Sequence, residues 1–169
     1  MPRPQHPGHA MNAYRRLVAR LDGFPQPLLQ LAMRVGIFFV FWRSGMLKAA
    51  NMEQAVGLFR DEYFTVQDKE PVPVFFQELL RIPKWPAEAS AWLATSVELA
   101  APALILAGLA TRVSALALIG MTLFIQFCIY WRDYPSHLLW LSILLFILVR
   151  GPGPWSLDRV LGLDGTRRA

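Results

Sequence analysis

A single carboxylate inside an otherwise apolar run of helix length constrains this chain more than any other feature. Between Ala89 and Arg112 the sequence ASAWLATSVELAAPALILAGLATR is long enough to cross a bilayer as a helix, with Glu98 in its interior. An acid at that depth is costly in lipid. Glu98 must therefore face other protein or a wet pocket, which makes it a functional-site candidate. Pro102, four residues on, cannot donate to the Glu98 carbonyl, so a freed acceptor and a local kink are expected at the same level.

The rest of the chain suits a membrane setting. With 54% hydrophobic and 17% charged residues in 169, and a mean hydropathy of +0.34, it is too apolar for an ordinary soluble domain and too short for two. The formal charge of +5 comes from arginines beside hydrophobic segments, where anionic lipid and topology account for them. No nucleic-acid partner is implied. The single cysteine, Cys128, excludes an internal disulfide, a CxxC redox pair and a four-cysteine zinc site.

Residues 1–12 read as a disordered tail, in which His6 and His9 supply too few ligands for a metal site. Over 13–23, Tyr14, Leu17, Val18 and Leu21 recur at helical spacing against Arg15, Arg16 and Arg20, the pattern of an interfacial amphipathic helix. Spans are expected at about 28–46, 90–109, 113–131 and 136–149, within one membrane domain over 28–161, and a tail over 162–169. The first is no signal peptide, because Arg34 and Arg43 interrupt its apolar core. These arginines, nine residues apart, lie on opposite helix faces. Arg43 shares the side of Ala32, Gly36 and Phe39, where small residues permit close helix approach, whereas Arg34 reads as snorkelling to the nearer headgroups.

Lys48 to Glu88 carries seven acidic and five basic residues, too balanced for a tail. Asn51 and Gln54 resemble a capping start for a helix through Met52, Ala55, Val56, Phe59 and Tyr63, and PVFFQELLRI gives a second short amphipathic helix ended by Pro83. This outer loop either caps a mouth of the bundle or rests on headgroups. In the third span Ala115, Ile119, Thr122, Gln126 and Tyr130 form one stripe that should face the bundle. Gly151, Pro152 and Gly153 stop the fourth.

Lys and Arg cluster in the N-terminal segment, at Arg112, and at Arg150, Arg159, Arg167 and Arg168, which places both termini in the cytoplasm. At about 1.5 Å rise per residue, Arg43, Glu98 and Gln126 converge roughly 20 Å from the inner end, with His137 near the outer rim and Arg34 only about 9 Å up. Arg43 is thus the expected partner of Glu98, since either charge alone would tend to neutralise. Arg43, Glu98, Gln126, Tyr130 and His137 form the candidate ligand site. One reading makes it a helix-locking ion pair. The other makes it a polar pocket for an amphipathic head group such as a quinone, with Gln126 and His137 as donors.

Three motifs resemble the DoxX family. The first span has its opening pattern, Arg34 followed by Gly36, Phe39, Gly45 and Lys48. Glu98 leading into Leu106-Ala107-Gly108-Leu109-Ala110-Thr111-Arg112 is similar to its second-span signature. Gly151-Pro152-Gly153-Pro154-Trp155-Ser156-Leu157-Asp158 resembles its closing GPG-x-x-SLD motif. The resemblance implies a four-span protein of the bacterial inner membrane, a subunit of a quinone-linked oxidoreductase or a partner of oxidative-stress enzymes. Arg43, the long loop containing FRDEY and the segment GMTLFIQ look more like a DoxX subgroup encoded beside genes for copper-binding modified peptides.

The expected fold is therefore all-α: an integral membrane four-helix bundle with an N-terminal interfacial helix and an outer loop containing short helices. Two functions stay open: a membrane subunit of a quinone-linked redox system, or a non-enzymatic accessory or transport component for copper or a copper-binding peptide. Expected partners are the lipid bilayer and another protein of a membrane complex, and a homo-oligomer fits as well. No nucleophile with a base beside it and no dinucleotide fingerprint is present, so catalysis by this chain alone is not expected.

Overall fold

A computed structural model describes residues 8–63, 86–130 and 132–165. Its helices are α1 (Gly8–Asp22), α2 (Gln26–Ala50), α3 (Met52–Gly57), α4 (Ala87–Ala107), α5 (Thr111–Cys128), α6 (Tyr134–Arg150) and α7 (Leu157–Val160), with a π-helical turn over Leu58–Tyr63. No strand occurs among the described residues, so the all-α expectation holds. The second amphipathic helix expected at PVFFQELLRI, and Trp131, lie outside them.

The long helices α2, α4, α5 and α6 pack around one apolar core. Ile37 and Phe41 of α2 meet Ala101 and Ile105 of α4, Ala115, Leu118 and Ile119 of α5, and Leu144 and Ile147 of α6. Helix α2 packs chiefly on α4, and α5 on α6. Gly45 permits the first contact: a Cβ there would sit 2.8 Å from Leu99 Cδ2 and 3.1 Å from Glu98 Cβ. The outward faces keep large apolar side chains exposed, among them Phe39, Leu47, Trp92, Val113, Leu116, Leu139 and Val149. So much uncovered apolar surface on every long helix suits lipid contact.

Helix α4 is the one described helix that is by itself long and apolar enough to cross a membrane. Helix α2 is longer but carries Arg34, Arg43 and Lys48. It qualifies only jointly with Met11–Asp22, across a 68° bend at Gly23–Pro25. Residues Thr111–Phe127 and Tyr134–Arg150 are apolar but shorter. The α1 helix begins at Gly8, inside the stretch expected to be a tail, and leaves Met11, Tyr14, Leu17 and Leu21 exposed. Asn51 caps α3 as its spacing suggested, its side-chain oxygen accepting from the Gln54 amide at 3.0 Å.

One end of the bundle is fastened by polar contacts. Gly108 ends α4 in the left-handed region (φ 70°), with Leu109 N donating to Leu104 O at 2.9 Å. A Cβ on Gly108 would lie 2.5 Å from that of Ser156, so α4 and the C-terminal segment could not meet with any other residue there. Arg34 is 3% exposed, which corrects its reading as a snorkelling side chain. Its guanidinium donates to the carbonyls of Ile105 (2.8 Å), Leu106, Pro152 (3.2 Å) and Trp155 (2.7 Å). It thus gives Leu106 O a donor at the C-terminus of α4 and Ile105 O a second one beside the Gly108 amide at 3.0 Å. Asp158 completes the arrangement, accepting from Ala110 N at 2.7 Å and Thr111 N at 2.9 Å and so capping α5. The Gly151–Asp158 motif is therefore a structural clasp.

Candidate functional site

At the other end, α2, α4, α5 and α6 enclose a cavity of about 630 Å³. Its lining is mostly apolar, with Phe41, Leu93, Val97, Met121, Phe124 and Ile125 prominent, and its charged groups form two separate clusters. A pocket of this size and make-up suits a small amphipathic ligand.

Glu98 forms the first cluster with Lys48. The ammonium Nζ donates to Glu98 Oε1 at 2.9 Å and Oε2 at 2.8 Å, and to Ser44 Oγ, one turn earlier on α2, at 2.8 Å. Both side chains are largely buried, 13% exposed for Lys48 and 5% for Glu98. Glu98 needs a counter-charge as expected, but the partner is not Arg43. Arg43 is exposed and Lys48 takes its place. The buried stripe of α2 runs Arg34, Ile37, Phe41, Gly45 and on to Lys48, a spacing of three or four residues, and Arg43 lies opposite. That periodicity was the available signal. Small residues at Ala32 and Gly36 pointed the other way, yet Gly36 is exposed and has nothing within 4 Å of its Cβ position. Arg43→Ala is accordingly expected to change stability by no more than about 0.5 kcal/mol, as measured by thermal unfolding in detergent. A loss of several kcal/mol would restore Arg43 as a structural partner.

The second cluster centres on His137, which is 2% exposed in the first turn of α6. Its Nδ1 lies 2.6 Å from Gln126 Oε1, and its Nε2 lies 3.8 Å from Asp133 Oδ2. An amide oxygen only accepts, so the neutral tautomer that makes this bond carries its hydrogen on Nδ1 and leaves Nε2 as an acceptor. Trp140 packs edge to face on His137 (5.1 Å between centroids) and on Phe41 (5.6 Å). It thereby joins α6 to α2 across the cavity wall.

The stripe read on the third span is largely buried. Ala115, Ile119, Thr122 and Gln126 are each below a tenth exposed, and Thr122 Oγ1 donates to Leu118 O at 2.7 Å within its own helix. Gln126 therefore holds His137, while Tyr130 lines the cavity with an exposed side chain. Sequence reasoning missed Lys48, Asp133 and Ser44 as parts of the site. Among the described residues no group of three or more His, Cys, Asp or Glu side chains is placed to hold a metal ion.

The DoxX family model matches residues 29–131. The chain belongs to the DoxX family. No curated protein and no solved structure matches it. The matched DoxX segment contains Arg34, Lys48, Glu98, Arg112 and Gln126, whereas His137 and the Gly151–Asp158 clasp follow it. Membership makes this a membrane protein, in keeping with the apolar surface of its long helices.

Proposed function

We propose that this DoxX protein is the membrane subunit of a quinone-linked redox system and that its cavity receives the ring head group of the quinone. The carrying observation is an apolar cavity of about 630 Å³ with a buried Lys48–Glu98 pair on one wall and His137 on another. The residues fit such a group: aromatic and branched side chains accept the ring and the start of a prenyl tail, and polar atoms fix its orientation. A quinone bound there supplies two-electron, two-proton chemistry, with electrons exchanged with a partner protein of the complex. The chain's own part is to bind, exclude water and hold protons at Glu98 and at His137 Nε2.

In this reading α2, α4, α5 and α6 cross the bacterial inner membrane with both chain termini in the cytoplasm. Arg15, Arg16 and Arg20 of α1 with Arg112, Arg150 and Arg159 supply positive charge toward the clasp end, against Arg60 and Arg132 toward the other, an excess that supports this orientation. At 18 and 17 residues, α5 and α6 extend only about 25–27 Å, which calls for slight local thinning of the bilayer.

The test is retention of ligand. Full-length protein purified in mild detergent should carry quinone-class lipid detectable by mass spectrometry. Ala117→Trp, which fills the cavity from an exposed position on α5, should lower that content about tenfold with little change in unfolding temperature. Equal ring-lipid content in both proteins, or none in either, would refute the proposal.

A further inference from the structure

Building on the reading of the cavity as a ring head-group site, we infer that it selects the reduced dihydroxy form of the ring over the oxidised dicarbonyl form. The argument is an inventory of hydrogen-bonding groups. Each of the three ammonium protons of Lys48 already has an acceptor, in Ser44 Oγ and the two oxygens of Glu98. The cation therefore has no proton left for a ligand carbonyl. Glu98, by contrast, keeps unused lone pairs, because a carboxylate has about four acceptor sites and Lys48 occupies one on each oxygen.

The opposite wall has the same polarity. In the neutral tautomer that donates Nδ1–H to Gln126 Oε1 at 2.6 Å, His137 Nε2 is an acceptor, 3.8 Å from Asp133 Oδ2. Asp133, also on the lining, is a carboxylate that receives a hydrogen bond from Ser136 Oγ at 2.9 Å. The lining hydroxyls of Ser44, Ser90 and Tyr130 can act either way and set no preference. Apart from Lys48, the indole N–H of Trp140 is the only group on the described lining that can only donate, and it is neutral.

Acceptors at buried Glu98 and His137 thus dominate, with the Asp133 carboxylate, 53% exposed, adding to them at the rim. Hydroxyl donors meeting carboxylates form the stronger, charge-assisted class of hydrogen bond. A dicarbonyl ring brings only acceptors. Placed against these groups it would leave buried lone pairs facing one another, with their desolvation uncompensated.

The test is a comparison of affinities on full-length protein in detergent, by anaerobic titration calorimetry with decyl-ubiquinol and decyl-ubiquinone. The reduced form should bind at least about tenfold more tightly, which for a two-electron couple raises the potential of the bound pair by about 30 mV. Glu98→Gln, which returns Lys48 protons to the cavity and adds an amide donor, should narrow the ratio to about threefold or less. His137→Phe, which removes the Nε2 acceptor, should also narrow it and serves if the first variant does not fold. Equal affinities, or tighter binding of the oxidised form, would overturn the inferred selectivity and leave the head-group reading standing. Binding of neither form would overturn both.

Discussion

Arg34→Ala is expected to destabilise the bundle by about 3–5 kcal/mol. Four carbonyls, those of Ile105, Leu106, Pro152 and Trp155, lose the guanidinium donor at once. Two of them belong to the last turn of α4, where Ile105 O keeps the amide of Gly108 while Leu106 O depends on the guanidinium. The buried carboxylate of Asp158, whose charge acts on Arg34, also loses its compensation. Arg34→Lys should recover little, because an ammonium is a point donor and cannot reach two separated pairs of carbonyls as the planar fork does. Unfolding monitored by circular dichroism in detergent measures both variants. Wild-type stability in Arg34→Ala would remove the clasp from the account of the fold.

The second large effect separates structure from function at the ion pair. Lys48→Met leaves the Glu98 carboxylate buried without a counter-charge and should cost about 3–5 kcal/mol. Replacing both residues by methionine should return stability to within about 1 kcal/mol of wild type, since the pair's desolvation cost disappears together with its attraction. The double variant should nevertheless lose its ring lipid, because the polar wall is gone. Additive destabilisation in the double variant, or full retention of the lipid, would each contradict this division of roles.

Much of the architecture was legible in hydrophobic periodicity. The four long helices, the cap at Asn51 and the inward stripe Ala115–Ile119–Thr122–Gln126 follow from spacing alone, because burial at every third or fourth residue leaves an imprint on sequence. The need of Glu98 for a partner was equally plain from the cost of its charge. Its partner was not, because depth along idealised spans measures height only, and the small residues beside Arg43 suggested the wrong packed face. Arg43 has the right height and the wrong face. Lys48, fourteen residues after Arg34, returns to within about 40° of it on the helix and lies on the packed side. Arg34 was misread for a related reason: an arginine near a helix end is usually solvated, and its burial depends on a loop more than a hundred residues later folding back over it. Such long-range closure has no local signature. Asp133 and His137 meet at the cavity through the turn between α5 and α6, whose shape the sequence did not specify.

The clasp and the cavity lie at opposite ends of α2 and α4, and this separation has a mechanical meaning. With Arg34 binding α4 to the C-terminal segment and Asp158 holding the start of α5, the bundle resembles tongs hinged at one end. Helix α4, at 21 residues, is a lever of about 31 Å, so a swing of about 5° at the hinge moves its far end by nearly 3 Å, close to the width of a methylene chain. The same swing moves Glu98, nine residues and about 14 Å from the hinge end, by only about 1 Å, so the displacement falls on Ser90 and Leu93 at the cavity rim more than on the ion pair.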